Sequence, residues 1–354
     1  MLILFVSNDN DGAARLEADL SGHSLDWQFS WTNRADVALA CSPSPDVLVC
    51  ADQIGSRRGL TLLDQLRGRH PDAVRILLMD AGHDQDAMQA MEVAHRVLPE
   101  PLDSLALFDA IKSVLELRAL LGNPALKNAI ARVGSLPTAP RQYLALTRLL
   151  RDPGASAASI VEVVTSDPAV AAKVLRMTNS AYYSYGREVS NLRAAVTRLG
   201  QTALCQLVLA SEVFTTGKHS SDAEAMRGRA LRISQLAGQL LPGPSADLAA
   251  TAGLLAEVGL LLPPLEGGQD GGALPPPMAG AYLLGLWGLP SAIVEAVAFH
   301  QTPSRVGGSF WVTGAVHVAA ALINGSEVDE DYLRTVGRLD QLPHWRALAN
   351  VLPE

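Results

Sequence analysis

The chain has 354 residues, of which 48% are hydrophobic and 18% are charged, a balance typical of globular domains rather than of a disordered chain. This length predicts two or three domains, each large enough for its own hydrophobic core. The net charge of −8 argues against sequence-independent binding to nucleic acid, which needs Lys and Arg to neutralise phosphates. We therefore expect no nucleic-acid partner.

The N-terminal segment MLILFVSNDND lacks the basic region of a signal peptide and soon becomes polar and acidic. No stretch approaches the ~18 uncharged apolar residues that a membrane-spanning helix needs. The three cysteines, Cys41, Cys50 and Cys205, have no close metal-ligand spacing, and we interpret them as buried thiols in a reducing compartment. These features predict a cytoplasmic protein without membrane attachment.

Up to about residue 120, short apolar runs typical of strands alternate with helical patterns. The predicted strands are 2–6, 25–31, 47–50, 75–79 and 96–98. The predicted helices are 12–20, 33–41, 59–68, 85–94 and 102–121. This alternation predicts an α/β doubly wound domain, in which helices cover both faces of a parallel sheet.

This half resembles the receiver domain of response regulators, which has a flavodoxin-like fold. In that family, acidic residues after the first strand hold Mg²⁺, because hard cations prefer oxygen ligands. An aspartate at the end of the third strand accepts a phosphoryl group. A hydroxyl group after the fourth strand and a lysine before a proline after the fifth contact that group.

All five positions of this chain depart from the receiver pattern. The residues found there are Ser7 and Asn8 for the acidic pair, Ala51 for the phosphoacceptor, Asp80 for the hydroxyl residue and Glu100 for the lysine. Asp80 and Glu100 would add negative charge where a phosphoryl group would sit. We therefore interpret residues 1–122 as a pseudo-receiver that is not phosphorylated in the usual way.

A shifted phosphorylation site that uses Asp52 together with Asp9 is the alternative. Asp52 follows the phosphoacceptor position by one residue, and successive side chains along a strand point to opposite faces of the sheet. The offset would direct the Asp52 carboxylate elsewhere, so the pseudo-receiver interpretation is favoured.

Gly122-Asn123-Pro124 combines a helix stop with a turn, which predicts a domain boundary between residues 122 and 123. After it the strand pattern disappears, and residues 123–354 are predicted to form an all-α domain. The predicted helices are 125–133, 140–151, 156–165, 168–178, 191–199, 201–214, 223–241, 246–262, 277–287, 290–299, 310–323 and 330–336. The Pro- and Gly-rich segment 263–277 is predicted to be an exposed loop.

Residues 160–200 are the most distinctive stretch of the helical half. Asp167 and Pro168 are predicted to be the N-cap and the first residue of a helix. Asn179 and Ser180 then interrupt the apolar period. If it is buried, Asn179 must bond to backbone groups, which would join two segments of the chain.

A second cap at 190–191 begins another apolar stripe, which continues up to Leu199 and Gly200. The run SDPAVAAKVLRMTNSAYY, followed by NLRAAVTRLG, closely resembles the signature of the HDOD family. These are bacterial all-helical output domains related to HD-type phosphohydrolases. Segments 136–140 and 287–290 resemble two further motifs of the family, so the resemblance extends over about 127–321. It implies a helical domain of the HD superfamily.

The HD phosphohydrolases use a His, a His-Asp pair and a later Asp to hold one or two metal ions that activate water. Here Ala256 and Glu257 align with the pair, and Arg229 aligns with the earlier histidine. A single carboxylate does not build a metal site, and an arginine would repel a cation. His300 matches a histidine that the HDOD pattern often retains, and we interpret it as a hydrogen-bonded structural residue. The resemblance therefore implies no bound metal.

No other catalytic motif is present: the sequence lacks a G-x-S-x-G elbow, a Walker-type phosphate loop, a G-x-G-x-x-G turn and a paired-cysteine zinc motif. We predict a non-enzymatic bacterial signal-transduction protein, without a cofactor, that acts through protein–protein contacts. The sequence does not identify the partner. A homodimer through the receiver half is one expected association, with 85–94 and 102–111 as the surface, although these helices would also serve simply to cover the sheet.

Two further hypotheses remain open from the sequence. The helical domain would act as a sensor if it bound a cyclic nucleotide or another small ligand, without hydrolysing it, in a pocket lined by Arg229, Glu257 and His300. It would be an enzyme if it retained residual phosphodiesterase activity. Ligand binding and metal content distinguish these hypotheses from the first.

Overall fold

The structure is a computed structural model. It describes residues 1–9, 15, 18–19, 27–71, 73–80, 90, 93–100, 102, 104–121, 149, 156–179, 188–200, 204, 221–262, 274–306 and 308–352. The chain divides into two compact units, of which the first contains the β-sheet and the second contains most of the helices that follow residue 156. Within the described ranges, no helix is both long enough and apolar enough to cross a membrane.

The first unit is built on a parallel sheet of five strands. Its elements are β1 (Leu2–Val6), β2 (Gln28–Thr32), α1 (Ala35–Leu39), β3 (Val47–Ala51), the short strands β4 (Gln53–Ile54) and β5 (Arg57–Arg58), α2 (Gly59–Arg69), β6 (Val74–Asp80), β7 (Arg96–Glu100) and α3 (Ser104–Leu121). The strand order is β2-β1-β3-β6-β7. This order is the flavodoxin-like one, so the predicted doubly wound receiver-like fold is confirmed.

The centre of this sheet is buried on both faces. All five residues of β3 are buried, as are four of the five in β1. Strands of a parallel sheet that is covered on both sides lose the alternation of apolar and polar residues, which is why VLVCA and LILFV are continuous apolar runs. The sequence of β2, QFSWT, alternates instead, because β2 lies at the edge of the sheet and exposes part of its length.

The five predicted strands are confirmed with small changes in their ends. The largest change is in β2, which begins at Gln28 rather than at residue 25. The antiparallel hairpin of β4 and β5, which turns at Gly55 with a left-handed φ of 57°, was not predicted from the sequence. Most of the predicted helices 12–20 and 85–94 lies outside the described residues, as does the predicted domain boundary at 122–123.

The second unit is helical. Its described helices are α4 (Ala157–Thr165), α5 (Pro168–Asn179), α6 (192–200), α7 (Ser221–Gln239), α8 (Pro244–Leu255), α9 (Pro276–Leu286), α10 (Ser291–Phe299), α11 (Val312–Asn324), α12 (Glu330–Thr335) and α13 (Leu342–Val351). Three short 3₁₀ helices, Val258–Leu261, Pro303–Arg305 and Leu339–Gln341, connect some of them. The predicted all-α architecture is confirmed for these ranges.

Small residues allow the helices of this unit to approach closely. A Cβ atom added at Gly253 of α8 would lie 3.1 Å from the carbonyl oxygen of Ile233 in α7, and one added at Gly238 would lie 3.2 Å from the Cβ of Ala250. The two helices therefore pack with their backbones near each other. Helix α11 packs against α7, α8 and α10 and is almost wholly buried over its first ten residues.

The predicted helix 246–262 was wrong in its second half. Helix α8 ends at Leu255, and a 3₁₀ turn follows from Val258 to Leu261. The change of direction brings Gly259 against the start of α9, where an added Cβ would lie only 1.8 Å from the carbonyl oxygen of Pro276. This tertiary contact overrides the continuous apolar pattern, and it places Glu257 at the break between the two elements.

Sequence analysis also missed the last helix, α13. Its residues Leu342, Trp345 and Ala349 are buried, and the Trp345 ring stacks on Phe310 with centroids 4.9 Å apart. The apolar stripe of α13 is short, and the helix begins beside a proline after a 3₁₀ turn. The local sequence pattern therefore did not distinguish this helix from an irregular tail. The predicted helix 125–133 lies outside the described residues, as do most of 140–151, most of 201–214 and most of the loop 263–277.

Replacing Gly59 by alanine is expected to destabilise the receiver-like unit by about 1–3 kcal/mol, because the new Cβ would lie 1.8 Å from the carbonyl oxygen of Ala51. Gly68→Ala is the matched control in the same helix, α2. A Cβ at Gly68 meets nothing within 4 Å, so that change should stabilise by about 0.5–1 kcal/mol. Urea unfolding of both variants measures the difference, and equal midpoints would contradict the close approach.

Candidate functional site

The five receiver positions lie at one edge of the sheet. Ser7 and Asn8 directly follow β1, and Ala51 is the last residue of β3. Asp80 and Glu100 end β6 and β7 and are paired in the parallel register. The carboxyl ends of parallel strands meet at the same edge, which is where ligands bind in open α/β sheets. The positions are therefore brought together, although the residue types of the family are not.

The side chain of Asn8 is bound to the loop after β3. Its Nδ2 donates to the carbonyl oxygen of Gln53 at 3.0 Å, and its Oδ1 accepts from the backbone N–H of Gly55 at 3.2 Å. The side chain of Ser7 forms a local bond, in which its Oγ accepts from the N–H of Asp9 at 3.1 Å, and its backbone N–H donates to the carbonyl oxygen of Thr32 at 3.1 Å. Neither residue supplies a negative charge.

The phosphoacceptor position carries a different residue type, and that residue is buried. Ala51 is buried, with 5% of its surface exposed, and Asp52 after it is half-buried. The Oδ1 atom of Asp52 is buried and has no hydrogen-bond partner among the described residues. No described donor holds the Asp52 carboxylate in position. The alternative phosphorylation site, which would use Asp52 together with Asp9, stays a prediction.

Cys50, the preceding residue, is buried in the sheet. Burial, together with the smaller effects of the negative charges of Asp52 and Glu100, raises the pKa of its thiol to about 12. The thiol therefore stays protonated at neutral pH and is a poor nucleophile. The prediction of a buried core thiol is confirmed for Cys50, whereas Cys41 is only half-buried and Cys205 lies outside the described residues.

These residues do not fit the divalent cation of a receiver. An amide and a hydroxyl group replace the two carboxylates, and both are already engaged in hydrogen bonds with the chain. Across the described parts of both units, no three His, Cys, Asp or Glu side chains form a group that could hold a metal ion.

In the helical unit, Asp167 caps α5 as predicted. Its side chain is fully buried, and Oδ1 accepts from the N–H groups of Ala169 at 2.8 Å and Val170 at 3.3 Å. Pro168 is the first helical residue, where its missing N–H leaves no bond unmade. Asn179 is half-buried at the last position of α5, and the backbone bonds predicted for its side chain are not among those described. Ser180 lies outside the described residues.

Helix α6 begins and ends as the sequence indicated. Asn191 caps it, with Oδ1 accepting from the N–H of Ala194 at 3.0 Å. Leu199 is buried, and Gly200 has a left-handed φ of 71°, which is typical of a helix C-terminus. The hydroxyl group of Thr251 in α8 donates to the carbonyl oxygen of Ser190 at 2.8 Å and joins the start of α6 to the helix that precedes Ala256 and Glu257.

The HD positions converge around Glu257. Its side chain is 11% exposed and lies 3.5 Å from Arg229, measured from Oε2 to Nε. Its other oxygen, Oε1, accepts a hydrogen bond of 2.7 Å from Nδ2 of Asn324 at the end of α11. Ala256 is completely buried, and its methyl group supplies no ligating atom. Three elements thus bring two donors to one carboxylate.

His300 lies at the end of α10 and is the residue that matches a histidine of the family pattern. It is 4% exposed, and its Nδ1 donates to the carbonyl oxygen of Val297 at 3.0 Å. Burial lowers its pKa, and this effect exceeds the opposing effects of that bond and of the negative charge of Glu257. His300 is thus a neutral, hydrogen-bonded histidine, which agrees with the structural role that we predicted.

His317 in α11 was not identified from the sequence. Its Nδ1 donates to the carbonyl oxygen of His300 at 2.7 Å, and its Nε2 accepts from the N–H of Asp329 at 2.9 Å. Because Nε2 accepts from a backbone N–H, the ring must be neutral with its proton on Nδ1. Burial likewise lowers the pKa of His317. The ring therefore joins the end of α10 to the start of α12.

The residues around Glu257 do not fit an HD-type metal centre. A guanidinium group and an amide N–H face the carboxylate, and both are donors rather than ligands. His300 directs its protonated Nδ1 to a backbone carbonyl group. The one local signal that could have indicated Asn324 is its position before Gly325, which has a left-handed φ of 68° and ends α11.

The comparisons with known proteins give one family match. Residues 136–263 match the model of the HDOD domain family. No curated protein matches the sequence.

Solved structures to which the chain is similar include the MmoQ response regulator from Methylococcus capsulatus str. Bath, which is 23% identical with a TM-score of 0.47 over 60% of this chain and 98% of that one. A virulence factor from Campylobacter jejuni subsp. jejuni is 16% identical with a TM-score of 0.47, over 67% and 98%. An HDOD domain protein with unknown function from Geobacter sulfurreducens is 17% identical with a TM-score of 0.31, over 66% and 98%.

The stability of the helical unit is expected to fall at acid pH because of His300 and His317. Their pKa values are lowered in the folded state, so the unfolded chain takes up protons first as the pH drops. The free energy of unfolding should be constant above about pH 6.5 and decrease below it, by up to about 1.4 kcal/mol per pH unit for each histidine.

Chemical unfolding between pH 8 and pH 5 checks this dependence. His317→Phe should weaken it and also lower the stability at pH 8, since two hydrogen bonds are lost. His344→Gln, at an exposed position of α13, is the matched control and should leave the dependence unchanged. A pH profile that is the same for wild type and His317→Phe would contradict the neutral-ring assignment.

The two partners of Glu257 are expected to contribute unequally to the free energy of unfolding. Asn324→Ala removes a 2.7 Å bond to a nearly buried carboxylate and should cost about 1.5–3 kcal/mol. Arg229→Ala should cost less than about 1 kcal/mol, because its side chain is 37% exposed and the ion pair is long. Double-mutant cycles with Glu257→Gln measure both couplings, and a larger coupling to Arg229 would show that the assignment is wrong.

Proposed function

We propose that this protein, whose residues 136–263 form an HDOD domain, is a non-enzymatic signalling protein that acts by protein–protein contact. The receiver-like unit is a pseudo-receiver, and the helical unit presents the output surface. The proposal rests on the side-chain contacts at the two places where related folds perform chemistry. At the first, Asn8 bonds to a loop of the same unit, and at the second, Glu257 accepts a hydrogen bond from Asn324 and pairs with Arg229.

At the receiver edge, the loop contacts of Asn8 and the buried Ala51 support this proposal. A phosphoryl group would need a carboxylate to accept it and positive charge to stabilise it. The corresponding positions carry an alanine methyl group and the carboxylates of Asp80 and Glu100. The receiver-like fold is thus kept, whereas the residues that would accept and stabilise a phosphoryl group are not. This combination fits a domain that acts through its surface.

At the HD position, the carboxylate of Glu257 supports the same proposal. An ion pair and an amide bond hold it from two sides, and Ala256 leaves the place of the histidine apolar. Hydrolysis in the HD superfamily depends on metal ions that activate water. We therefore propose that the helical unit is not a phosphodiesterase.

The proposed contact surface of the receiver-like unit includes the start of α3. Leu105 is 62% exposed there, which is unusual for a leucine, and Lys112 and Glu116 form an exposed ion pair further along the helix. Aromatic rings of Trp27 and Phe108 pack 5.8 Å apart beneath it, so one face of α3 is fixed to the sheet unit while Leu105 stays outside. We propose that two copies of the chain associate through this face.

Leu105→Glu is expected to lower self-association at least about tenfold, because a charge would be buried in the interface. Val351→Glu, at an 83% exposed residue of α13, is the matched control and should leave it unchanged. Sedimentation of the full chain over a concentration series measures the dissociation constant. A monomeric wild type, or equal effects of the two substitutions, would contradict this surface.

The absence of catalysis is tested separately. The purified full chain should hydrolyse no cyclic dinucleotide or phosphodiester substrate in the presence of Mg²⁺ or Mn²⁺, and acetyl phosphate should not add the mass of a phosphoryl group. Capture from the native lysate with the full chain should instead retain a protein partner in stoichiometric amount. Turnover that disappears in Glu257→Gln would overturn the proposal.

A small-ligand sensor is the second candidate function, and one observation favours it. The Oε2 atom of Glu257 is buried yet has no hydrogen-bond donor in bonding geometry among the described residues. A ligand N–H group, such as that of a nucleobase, would satisfy it. A nucleotide at a hundred times its dissociation constant should stabilise the chain by about 2.7 kcal/mol, and thermal-shift screening measures this.

A further inference from the structure

We infer that the side chain of Asn8 takes the place of a metal ion in the receiver-like unit and orders the loop 52–58 between β3 and α2 without a cation. This role concerns the internal order of one unit and goes beyond the proposed contact function. It is assigned from the two bonds of a single amide group and from the charges around it.

The amide of Asn8 joins two distant parts of the chain. It bonds to Gln53 and Gly55, which are 45 and 47 residues away in sequence. One bond uses the donor of the amide and the other uses its acceptor, so both of its functional ends are directed at the same loop. Such a pair of bonds fixes the loop against the end of β1 in a defined orientation.

The carbonyl group of Gln53 is the kind of ligand that a hard cation prefers. In this chain it accepts the Nδ2–H of Asn8 instead, at 3.0 Å. A donor hydrogen and a cation serve the same purpose for a carbonyl oxygen, because each brings positive charge to its lone pair. The amide supplies that partner without a cation.

The other end of the loop also depends on Asn8. Gly55 has a left-handed φ of 57°, and its N–H donates to Oδ1 of Asn8. Within the loop, Nε2 of Gln53 donates to the carbonyl oxygen of Gly55 at 3.1 Å. The turn is thus closed locally by Gln53 and is attached to the sheet by Asn8.

Charge explains why an amide is favoured over a carboxylate here. Asp52 and Glu100 already act together on the buried Cys50 thiol, and no described cation faces the unpartnered Oδ1 of Asp52. A carboxylate at residue 8 would add a third negative charge and would face the carbonyl oxygen of Gln53 without a hydrogen. Asparagine has the same shape as aspartate and avoids both effects.

Hydrogen exchange of the full chain tests the attachment of the loop. In Asn8→Ala, the backbone N–H of Gly55 loses its acceptor and should exchange roughly two- to tenfold faster. Ser7→Ala is the matched control, since the Ser7 hydroxyl group bonds within its own segment and should leave Gly55 unchanged. An unchanged Gly55 exchange rate in Asn8→Ala would overturn the inference.

Thermal unfolding with MgCl₂ tests the replacement of the metal. The midpoint of the wild-type chain should be the same in millimolar MgCl₂ and in KCl of equal ionic strength, which controls for screening. Asn8→Asp should unfold at a lower temperature in KCl and recover in MgCl₂, because the added carboxylate then shares a cation with the Gln53 carbonyl group.

A wild-type chain that MgCl₂ stabilises as strongly as it stabilises Asn8→Asp would overturn the inference. Neither measurement involves a partner protein or self-association. Failure here is therefore distinguishable from failure of the contact-based function, and each is able to stand without the other.

Discussion

A carboxylate that is withdrawn from water must be matched by donors from the protein, and the centre of the helical unit is arranged around this requirement. Glu257 stands where α8 stops and a 3₁₀ turn begins, at a place that is only 11% exposed. Arg229 from α7 and Asn324 from the end of α11 supply the donors. The carboxylate therefore joins three elements of the helical unit.

The same requirement shapes the other polar positions. Asp167 is fully buried and uses its carboxylate to cap a helix, and the neutral ring of His317 connects α10 to α12 through both nitrogens. At the receiver edge, Asn8 meets two backbone groups of one loop. In each case the polar side chain holds parts of its own chain together.

Much of the fold was predictable because its signals are local. The continuous apolar runs of β1 and β3, the caps at Asp167 and Asn191 and the glycine stop at 200 each involve residues within a few positions of one another. The edge strand β2 was shifted because its alternating sequence gives a weak boundary. The hairpin of β4 and β5 was missed because two-residue strands have no period, and α8 was extended too far because a tertiary contact at Gly259 ends the helical stretch.

The site was less predictable for a related reason. The proximity of Arg229 and Glu257 followed from a family resemblance and not from their spacing. Asn324 lies 67 residues from Glu257, and His317 lies 17 residues from the carbonyl group that it bonds, so neither bond leaves a pattern in the sequence. His317 is surrounded by alanine and valine in α11 and is indistinguishable there from a core position. Only the folded chain shows which polar groups meet.

The strand order also has a consequence for synthesis. The strand β1 is made first, yet it lies inside the sheet between β2 and β3. Its apolar residues have no partner on the β3 side until residue 51 has been added, 45 residues after Val6. At 5–20 residues per second this takes roughly 2–9 s, and exit from the ribosome adds to the delay. The nascent LILFV segment thus stays without its β3 neighbour for several seconds, before the sheet that will bury it exists.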